Sequence, residues 1–350
     1  MAPPPSNRGL AALCFCLYLA TNLGALLLAS ASQRAPTRYI NSTAVTLSEV
    51  LKVAVSVLAI YAEARGLGGA ARTVLATLLG SPAELLRVCV PALLYTIQNN
   101  VIYAALAHLD AVSFQMAYQL KIVAAMLAQR VLLKKPASYA RWVSVLILTL
   151  GVCLVQLSLK EGDGDGGDAA PAPAPAPAPE AASADEGGSG DPAAAAAAAA
   201  AAGRSRTLGL LACLVACGCS GLAGAFMELL LKGSTLSLPR RNLQVAAISV
   251  LIAAFHMLNR DADALRAGGF FQGYTPLVWA MVALDAGGGL LVSMLLKYSS
   301  ATMKNFAAPI GIILNCLLSF YRDKSFKPNK RFLLGTAMVI LALGMYTASG

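Results

Sequence analysis

Apolar residues run through this sequence in long blocks, and short polar segments separate the blocks. Each block extends over about 17 to 25 residues, the length that a helix needs to cross a hydrocarbon layer of roughly 30 Å. Because backbone groups in lipid must be hydrogen-bonded within their own segment, such blocks are predicted to be α-helices. The pattern predicts ten membrane-spanning helices, near residues 9–29, 43–64, 88–109, 111–133, 139–159, 206–231, 242–258, 274–298, 301–321 and 332–348.

One segment of different composition interrupts the series. Residues 160–205 contain EGDGDGG, the alternating PAPAPAPAP and an uninterrupted alanine run from Ala193 to Ala202. Such low-complexity composition is typical of a solvated linker. The linker divides the chain into two five-helix halves, residues 1–159 and 206–350. An odd number of spans in each half is typical of inverted repeats, so we predict an all-α membrane protein built from two inverted five-helix repeats.

Composition agrees with a membrane protein and excludes other classes. Hydrophobic residues make up 57% of the chain and charged residues only 13%, with a mean hydropathy of +0.66. The net charge of +10 does not indicate nucleic-acid binding, because the basic residues are scattered singly between the apolar blocks. The eight cysteines lie within apolar blocks and form no spaced set with the two histidines. We therefore expect small core residues rather than disulfides or zinc ligands, and neither a metal nor a cofactor.

Polar side chains inside the third predicted span are the first candidates for function. Tyr95, Gln98 and Asn99 recur at helical spacing, and Asn100 lies beside them. Amides in membrane helices either join helices through hydrogen bonds or line a polar pocket. Three consecutive amides favour the pocket.

The fourth predicted span contains a lysine. Phe114, Tyr118 and Lys121 share one helical face, and Gln119 lies on the neighbouring face. A lysine near the centre of a span costs about 2.5–3.5 kcal/mol on insertion scales, so such a residue usually has a function. The alternatives are a structural ion pair and snorkelling toward the interface, and the central position of Lys121 makes snorkelling difficult.

The second half of the chain contains a corresponding set of polar residues. Ser293, Lys297 and Lys304 lie in the eighth and ninth predicted spans. Because the fourth and ninth spans occupy equivalent places in the two halves, Lys121 and Lys304 are predicted to face a shared site near the middle of the membrane. Lys297 lies nearer the end of its span, where snorkelling is an equally good interpretation.

Two weaker patterns involve charged residues that have neighbours on their own helix. Glu49 and Lys52 lie three residues apart and are placed to pair with each other. Ser220, Gly224 and Glu228 lie on one face of the sixth span, where small residues permit close packing of helices.

These residue types together predict an anionic ligand. Lysines bind phosphate groups, tyrosines stack on a planar ring and amides bind polar edges, so the pattern favours an anion of about two charges with a ring and hydroxyl groups. The sequence contains no phosphate-binding glycine loop and no catalytic set, so an enzyme is not predicted. The alternatives are a membrane scaffold that transports nothing and an exporter of another small metabolite. Lysines in matching spans, without an obvious acid partner for each, favour ligand binding over the scaffold.

Several segments resemble those of a known family in their order and spacing. They are YTIQNNVIYAALAHLDAVSFQMAYQLKI, CSGLAGAFMELLLKGS, RRNLQ, GFFQGYT and KYSSATMKNF. They are similar to the signature segments of Golgi nucleotide-sugar transporters, in the branch of the drug/metabolite transporter superfamily that carries CMP-sialic acid, UDP-galactose and UDP-N-acetylglucosamine. The resemblance implies a ten-helix fold with both termini cytosolic.

The same resemblance implies a function and a location. A cytosolic nucleotide sugar would be exchanged for a luminal nucleoside monophosphate across the Golgi membrane, with the endoplasmic reticulum membrane as the alternative location. The lipid bilayer would be the protein's environment, nucleic acid would not be a partner, and a homodimer is an arrangement that the resemblance leaves open.

The resemblance also implies a set of site residues. The substrate-binding positions of the family fall on Tyr95, Gln98, Asn99, Tyr118, Lys121, Ser220, Asn242, Ser293 and Lys304, with supporting polar residues at Glu49, Lys52, Asn100, Gln119 and Lys297. The chain departs from the family pattern at three places. Ala246 stands where sialic-acid carriers have tyrosine, Asp285 is an unexpected acid, and Ser300 and Ala301 replace an Asp-Asn pair. These departures favour a UDP-sugar over CMP-sialic acid.

Overall fold

A computed structural model describes residues 8–32, 39–64, 66–79, 82–109, 111–134, 136–162, 192–233, 235–322 and 328–349. All of the regular secondary structure in these ranges is α-helical, which confirms the all-α prediction. The helices are α1 (Arg8–Ser32), α2 (Asn41–Glu63), α3 (Leu67–Leu79), α4 (Pro82–Leu106), α5 (Ala111–Tyr118), α6 (Leu120–Leu132), α7 (Tyr139–Gly162), α8 (Pro192–Lys232), α9 (Leu238–Arg260), α10 (Ala262–Gly268), α11 (Pro276–Tyr298), α12 (Ala301–Arg322) and α13 (Lys330–Ala348).

Membrane-length helices account for most of the predicted spans. In the described ranges, 8 segments are long and apolar enough to cross a membrane. They are Asn41–Glu63, Pro82–Leu106, Tyr139–Leu159, Arg206–Lys232, Leu238–Arg260, Pro276–Tyr298, Ala301–Leu318 and Lys330–Ala348. The multispan architecture is therefore confirmed. The first predicted span is represented by the shorter apolar stretch Gly9–Ala25, and the fourth is divided into two helices.

The fourth predicted span is interrupted at Gln119, between α5 and α6. The backbone N–H of Gln119 donates to the carbonyl oxygen of Met116 at 3.3 Å, and the N–H of Ile122 donates to the carbonyl oxygen of Gln119 at 3.0 Å. Both bonds link residues three apart, as in a 3₁₀ turn, and such a turn within a helix often marks a functional position. The break lies directly between Tyr118 and Lys121.

Two helical segments lie where the sequence predicted connections. Helix α3 has 13 residues and is too short to cross a membrane. Helix α8 begins at Pro192, so the alanine run is helical although it was predicted to belong to the linker. Alanine has the highest helix propensity, and proline fits the first turn of a helix. The remainder of the predicted linker, residues 163–191, lies outside the described residues.

The chain forms two compact units, and each unit combines segments from both halves of the sequence. Unit 1 consists of Met1–Leu93 and Gly224–Asn315, and unit 2 consists of Leu94–Ala223 and Cys316–Gly350. The division between the units falls within α4, α8 and α12. The two five-helix repeats, residues 1–159 and 206–350, remain a prediction from the sequence.

Unit 1 is held together by helix pairs that approach closely at small residues. Helix α1 packs against α11, and α2 packs against α9. A Cβ atom added at Gly288 of α11 would lie 3.4 Å from the Thr21 hydroxyl oxygen of α1. A Cβ atom at Gly24 of α1 would lie 3.0 Å from a methyl group of Leu284. Small residues thus let these helices approach, as is common between membrane helices.

Unit 2 contains two close helix contacts of the same kind. Helices α7 and α13 meet at Gly151 and Gly335, where a Cβ atom on Gly335 would lie 2.6 Å from the Gly151 carbonyl oxygen. Helix α8 approaches α6 at Gly221, where an added Cβ atom would lie 2.5 Å from the Ala124 carbonyl carbon. A buried cluster also joins α4, α5 and α8, and its members are Ile102, Ala105, Leu109, Phe114, Cys213, Ala216 and Cys217.

The contact between α7 and α13 gives a direct test of the packing. Gly335→Ala should lower the free energy of unfolding by about 1–3 kcal/mol, because the new methyl group meets backbone atoms that cannot move independently. Gly344→Ala in the same helix is the matched control, since a Cβ atom there meets nothing within 4 Å. Thermal unfolding of the purified variants in detergent measures the difference, and equal melting temperatures would contradict the packing.

Candidate functional site

A cluster of polar and aromatic side chains surrounds Tyr118 in unit 2. The side-chain amide nitrogen of Gln98 lies 2.8 Å from the Tyr118 hydroxyl oxygen, to which it donates. The ammonium group of Lys121 lies 4.5 Å from the centre of the Tyr118 ring, and Ser220 hydrogen-bonds to the hydroxyl group. The ring of Phe114 stacks on the ring of Tyr118, with the ring centres 5.2 Å apart and an interplanar angle of 18°. The structure therefore brings together four of the sequence-predicted site residues.

The backbone break at Gln119 and the close approach of α8 position this cluster. Tyr118 is the last residue of α5, and Lys121 lies in the first turn of α6. Cys217 of α8 lies 3.7 Å from the carbonyl oxygen of Tyr118, with its sulfur as the donor. Because Gly221 lies one turn further along α8 and has no side chain, α8 can approach α6 near Lys121.

Two buried amides in unit 2 carry acceptor atoms that are not used in the structure. Gln98 and Gln119 are 8% and 7% exposed. Within the described part of the chain, the side-chain carbonyl oxygen of each has no hydrogen-bond partner. A buried acceptor without a partner costs about 1–3 kcal/mol. A ligand or a water molecule that supplied the missing donor would remove this cost.

The other predicted residues of α4 have different surroundings. Tyr95 lies close enough to Tyr118 for their side chains to interact electrostatically. Asn99 and Asn100 are exposed. The amide of Asn100 donates to the carbonyl oxygen of Thr96 at 2.8 Å, within its own helix. Of the three consecutive amides, Gln98 is the one that contacts the Tyr118 cluster directly.

Unit 1 contains a cavity of about 170 Å³ with charged residues in its wall. It is lined by Tyr18, Thr21, Asn22, Ala25, Lys52, Leu284, Asp285, Gly288, Gly289, Val292 and Lys304. The ammonium group of Lys52 lies 2.8 Å from the Glu49 carboxylate, so the predicted pairing of these two residues is confirmed. A Cβ atom on Gly289 would lie 2.5 Å from the Lys52 side chain, so this glycine makes space for the lysine.

The remaining predicted residues of the second half also lie in unit 1. Asn242 and Ser293 are each 8% exposed, and the side-chain carbonyl oxygen of Asn242 has no hydrogen-bond partner among the residues that the structure describes. The Ser293 hydroxyl donates to the carbonyl oxygen of Gly289 at 3.5 Å. Lys297 is half-buried near the end of α11. Lys121 belongs to unit 2 and Lys304 to unit 1, so a site shared by these two lysines remains a prediction.

An ion pair at the end of α8 was not predicted as a structural feature. Glu228 is 0% exposed, and its carboxylate accepts a hydrogen bond at 2.8 Å from the backbone N–H of Ala301, the first residue of α12. The ammonium group of Lys232 lies 2.7 Å from the same carboxylate and also donates to the Ser299 carbonyl oxygen. A carboxylate at a helix N-terminus is electrostatically favourable. The spacing of Glu228 and Lys232, four residues apart, was the signal that sequence analysis missed.

Two departures from the family pattern have structural explanations. The hydroxyl oxygen of Ser300 accepts a hydrogen bond from the Met303 backbone N–H at 3.1 Å and so caps α12. Ala246 is 3% exposed, so a tyrosine at this position would overpack the surrounding helices. The small side chain at position 246 therefore contributes to the packing of the helices in this chain.

The RRNLQ segment links helices within unit 1. The guanidinium group of Arg241 donates to the side-chain oxygen of Gln244 at 2.8 Å and lies 3.8 Å from the Glu84 carboxylate. The amide of Gln244 donates to the Thr77 carbonyl oxygen at 2.9 Å. These bonds connect α9 to the end of α3 and the start of α4.

The described residues contain no group of three or more His, Cys, Asp or Glu placed to hold a metal ion. All eight cysteines are free thiols.

Comparison with known proteins gives a consistent family. A family model described as "Nucleotide-sugar transporter" matches residues 10–347. The UDP-N-acetylglucosamine transporter of Homo sapiens is 33% identical over 316 residues, covering 88% of this chain and 85% of the relative. The UDP-galactose transporter of Schizosaccharomyces pombe is 34% identical over 313 residues, covering 89% of this chain and 78% of the relative. A solved crystal structure aligns with a TM-score of 0.60 over 98% of both chains at 14% identity, which shows similarity of fold.

The buried carboxylate of Glu228 provides a prediction about stability. Glu228→Gln should lower the free energy of unfolding by about 3–5 kcal/mol, because it breaks a buried pair and leaves the Lys232 ammonium group without its counter-charge. Asp263→Asn is the matched control, since Asp263 pairs with Arg266 at 3.3 Å where the side chains are 99% and 80% exposed. An exposed pair of this kind contributes about 0–1 kcal/mol. Thermal unfolding in detergent would contradict the assignment if both variants lost the same stability.

Proposed function

Because the chain belongs to the nucleotide-sugar transporter family, we propose that it carries a UDP-linked sugar across a membrane by alternating access, in exchange for a nucleoside monophosphate. The relatives named above carry UDP-N-acetylglucosamine or UDP-galactose, and a substrate of this type is proposed here. Transport rather than catalysis agrees with the multispan architecture. The Golgi membrane is the proposed location, and the two sequence halves are the proposed inverted repeats.

The observation that carries the proposal is the cluster around Tyr118. It combines an ammonium group at Lys121, an aromatic ring and hydroxyl at Tyr118, and the unused buried acceptor of Gln98. An ammonium group binds phosphate, an aromatic ring stacks on a base, and an amide oxygen accepts from an N–H group of a base edge. A nucleotide supplies all three complementary groups in one molecule.

The cavity of unit 1 supports the same class of ligand. Lys52 and Lys304 line it together with Asp285, and the two ammonium groups are the part of this wall that attracts the phosphate of an anionic ligand. Closure of such a cavity without an anion would remove ammonium groups from water at a cost of several kcal/mol. A bound phosphate lowers that cost. This difference would couple entry of one anionic ligand to exit of another.

A membrane scaffold is the alternative, and the structure offers a contrast that argues against it. Glu228 and Lys232 form a buried pair, and Glu228 also caps a helix, so this pair holds helices together. Lys52 also has an acid partner, Glu49, but Lys52 and Lys304 lie in the wall of a cavity. Charges whose sole role is to hold helices together need no open space beside them.

Counterflow in proteoliposomes tests the proposed function. Vesicles containing the purified protein would be preloaded with UMP, CMP or buffer and then presented with UDP-N-acetylglucosamine, UDP-galactose or CMP-sialic acid. Preloading with UMP should drive accumulation of a UDP-sugar. Protein that is folded and inserted but accumulates no nucleotide sugar under any preload would overturn the proposal.

Lys121→Met and Lys304→Met should each abolish uptake of the nucleotide sugar. Methionine fills similar space without the charge, so the variants should fold, and their thermal stability without ligand should hold or rise. Stabilisation by added UMP should disappear in both. Lys330→Met, at the exposed start of α13, is the control and should behave like wild type. Normal exchange in Lys121→Met or Lys304→Met would support the scaffold instead.

Gln98 and Asn100, two amides of α4, give a matched pair of variants. Gln98→Leu should raise the KM for the nucleotide sugar about tenfold or more, because the buried hydrogen bonds of a bound ligand are worth about 1–3 kcal/mol. Asn100→Leu should leave uptake within about twofold, since the Asn100 side chain is exposed and bonds to its own helix. Concentration-dependent uptake measures both, and equal effects would remove Gln98 from the binding site.

A further inference from the structure

Asp285 places a carboxylate in the wall of the unit 1 cavity. It lies in the middle of α11, within the apolar segment Pro276–Tyr298, and its side chain is exposed. A carboxylate in contact with lipid at this depth would cost about 2.5–3.5 kcal/mol on insertion scales. The cavity, which Asp285 lines, is the polar environment that accounts for its exposure.

The Asp285 carboxylate does not stabilise helices in the way that two other acids of the spans, Glu49 and Glu228, do. Glu228 binds both a lysine and a backbone N–H group, and Glu49 binds Lys52. Among the described residues, no hydrogen bond or ion pair ends at Asp285. Its oxygens are therefore available to a molecule in the cavity.

Two residues of α1 that line the same cavity, Thr21 and Asn22, present further hydrogen-bond acceptors. The Thr21 hydroxyl donates to the carbonyl oxygen of Tyr18 at 2.9 Å, so the oxygen of Thr21 remains as an acceptor. The Asn22 amide nitrogen donates to the same carbonyl oxygen at 3.2 Å, which leaves its side-chain oxygen as an acceptor. Gly288 adds no side chain where α11 meets Thr21. This part of the wall, made by α1 and α11, is rich in hydrogen-bond acceptors.

The same cavity is also lined by two lysines. Lys52 and Lys304 are donors only, because an ammonium group has no acceptor atom. An ionised carboxylate is an acceptor only. A ligand that complements both kinds of group carries phosphate oxygens as well as several O–H donors. A sugar linked to a nucleotide through phosphate has this arrangement.

We infer that Asp285 is a specificity-determining residue whose carboxylate accepts hydrogen bonds from the hydroxyl groups of the transported sugar and disfavours sugars that carry their own carboxylate. The inference rests on the proposed function and extends it to the sugar end of the ligand. A neutral hexose donates to the carboxylate, whereas a uronic acid brings a second negative charge to the same place. Recognition of the nucleotide end does not involve this residue.

The test compares three ligands on wild type, Asp285→Asn and Asp263→Asn. The ligands are UDP-N-acetylglucosamine, UDP-glucuronic acid and UMP, which lacks a sugar beyond the ribose. Asparagine has the shape of aspartate without its charge, and Asp263 is an exposed acid of α10 that serves as the control for the same substitution. Competition against UMP exchange in proteoliposomes gives an apparent affinity for each ligand.

In Asp285→Asn, the affinity for UDP-N-acetylglucosamine should fall about tenfold, the effect of one charge-assisted hydrogen bond. The affinity for UDP-glucuronic acid should rise relative to it, and UMP should still stabilise the purified variant against heat. An unchanged ratio of the affinities for the two nucleotide sugars would overturn the inference, as would an equal loss for all three ligands. Failure of the proposed function looks different, because wild-type protein would then show no exchange of UMP at all.

Discussion

Removing a charged group from water among apolar helices costs several kcal/mol, and this cost governs where the charged side chains of the spans lie. Glu228 is fully buried and meets the cost with a lysine and a backbone N–H group. Lys52 pairs with Glu49 and, like Asp285 and Lys304, also lines a cavity that water or a ligand can occupy. The first arrangement holds helices together. The second brings charged groups into contact with whatever occupies the cavity, and the proposed transport depends on that difference.

Glycine contacts and a backbone break make these arrangements possible. Gly289 makes space for Lys52, and Gly221 lets α8 approach the helix that carries Lys121. At Gln119, bonds between residues three apart replace the regular helical pattern, next to the aromatic ring over which Lys121 lies. The polar clusters thus depend on positions that carry no chemistry themselves. Substitutions at these glycines should disturb ligand binding without removing any binding group.

Periodicity and length were sufficient to predict the all-α membrane class and most of the spans, because hydrophobic length is a property of the sequence alone. The interruption at Gln119 was not predictable, since no proline or glycine marks it and the backbone of Gln119 keeps helical dihedral angles. Helix α3 was missed because 13 residues are too few to read as a span. The helical start at Pro192 was missed because low complexity was interpreted as linker, although alanine strongly favours a helix.

The candidate site was predictable in its residue types and only partly in its grouping. Spacing along α5 and α6 placed Tyr118 and Lys121 on one face, and the structure finds the ammonium group over the ring. Spacing along α4 did not separate Gln98 from Asn100, because only tertiary packing places Gln98 against Tyr118 and leaves Asn100 exposed and bonded within its own helix. The capping of α12 by Glu228 joins residues far apart in the chain, and only tertiary packing reveals it.

The most direct test of the central claim is whether phosphate, rather than the base, carries the binding energy. Thermal unfolding of the purified protein would be compared with saturating UMP and with uridine at the same concentration. Charged cavities that bind phosphate predict stabilisation by UMP of about 2.7 kcal/mol at a hundred times its Kd, and far less by uridine. Equal stabilisation by the two compounds, or none by either, would contradict the account and would leave the lysines with a structural role.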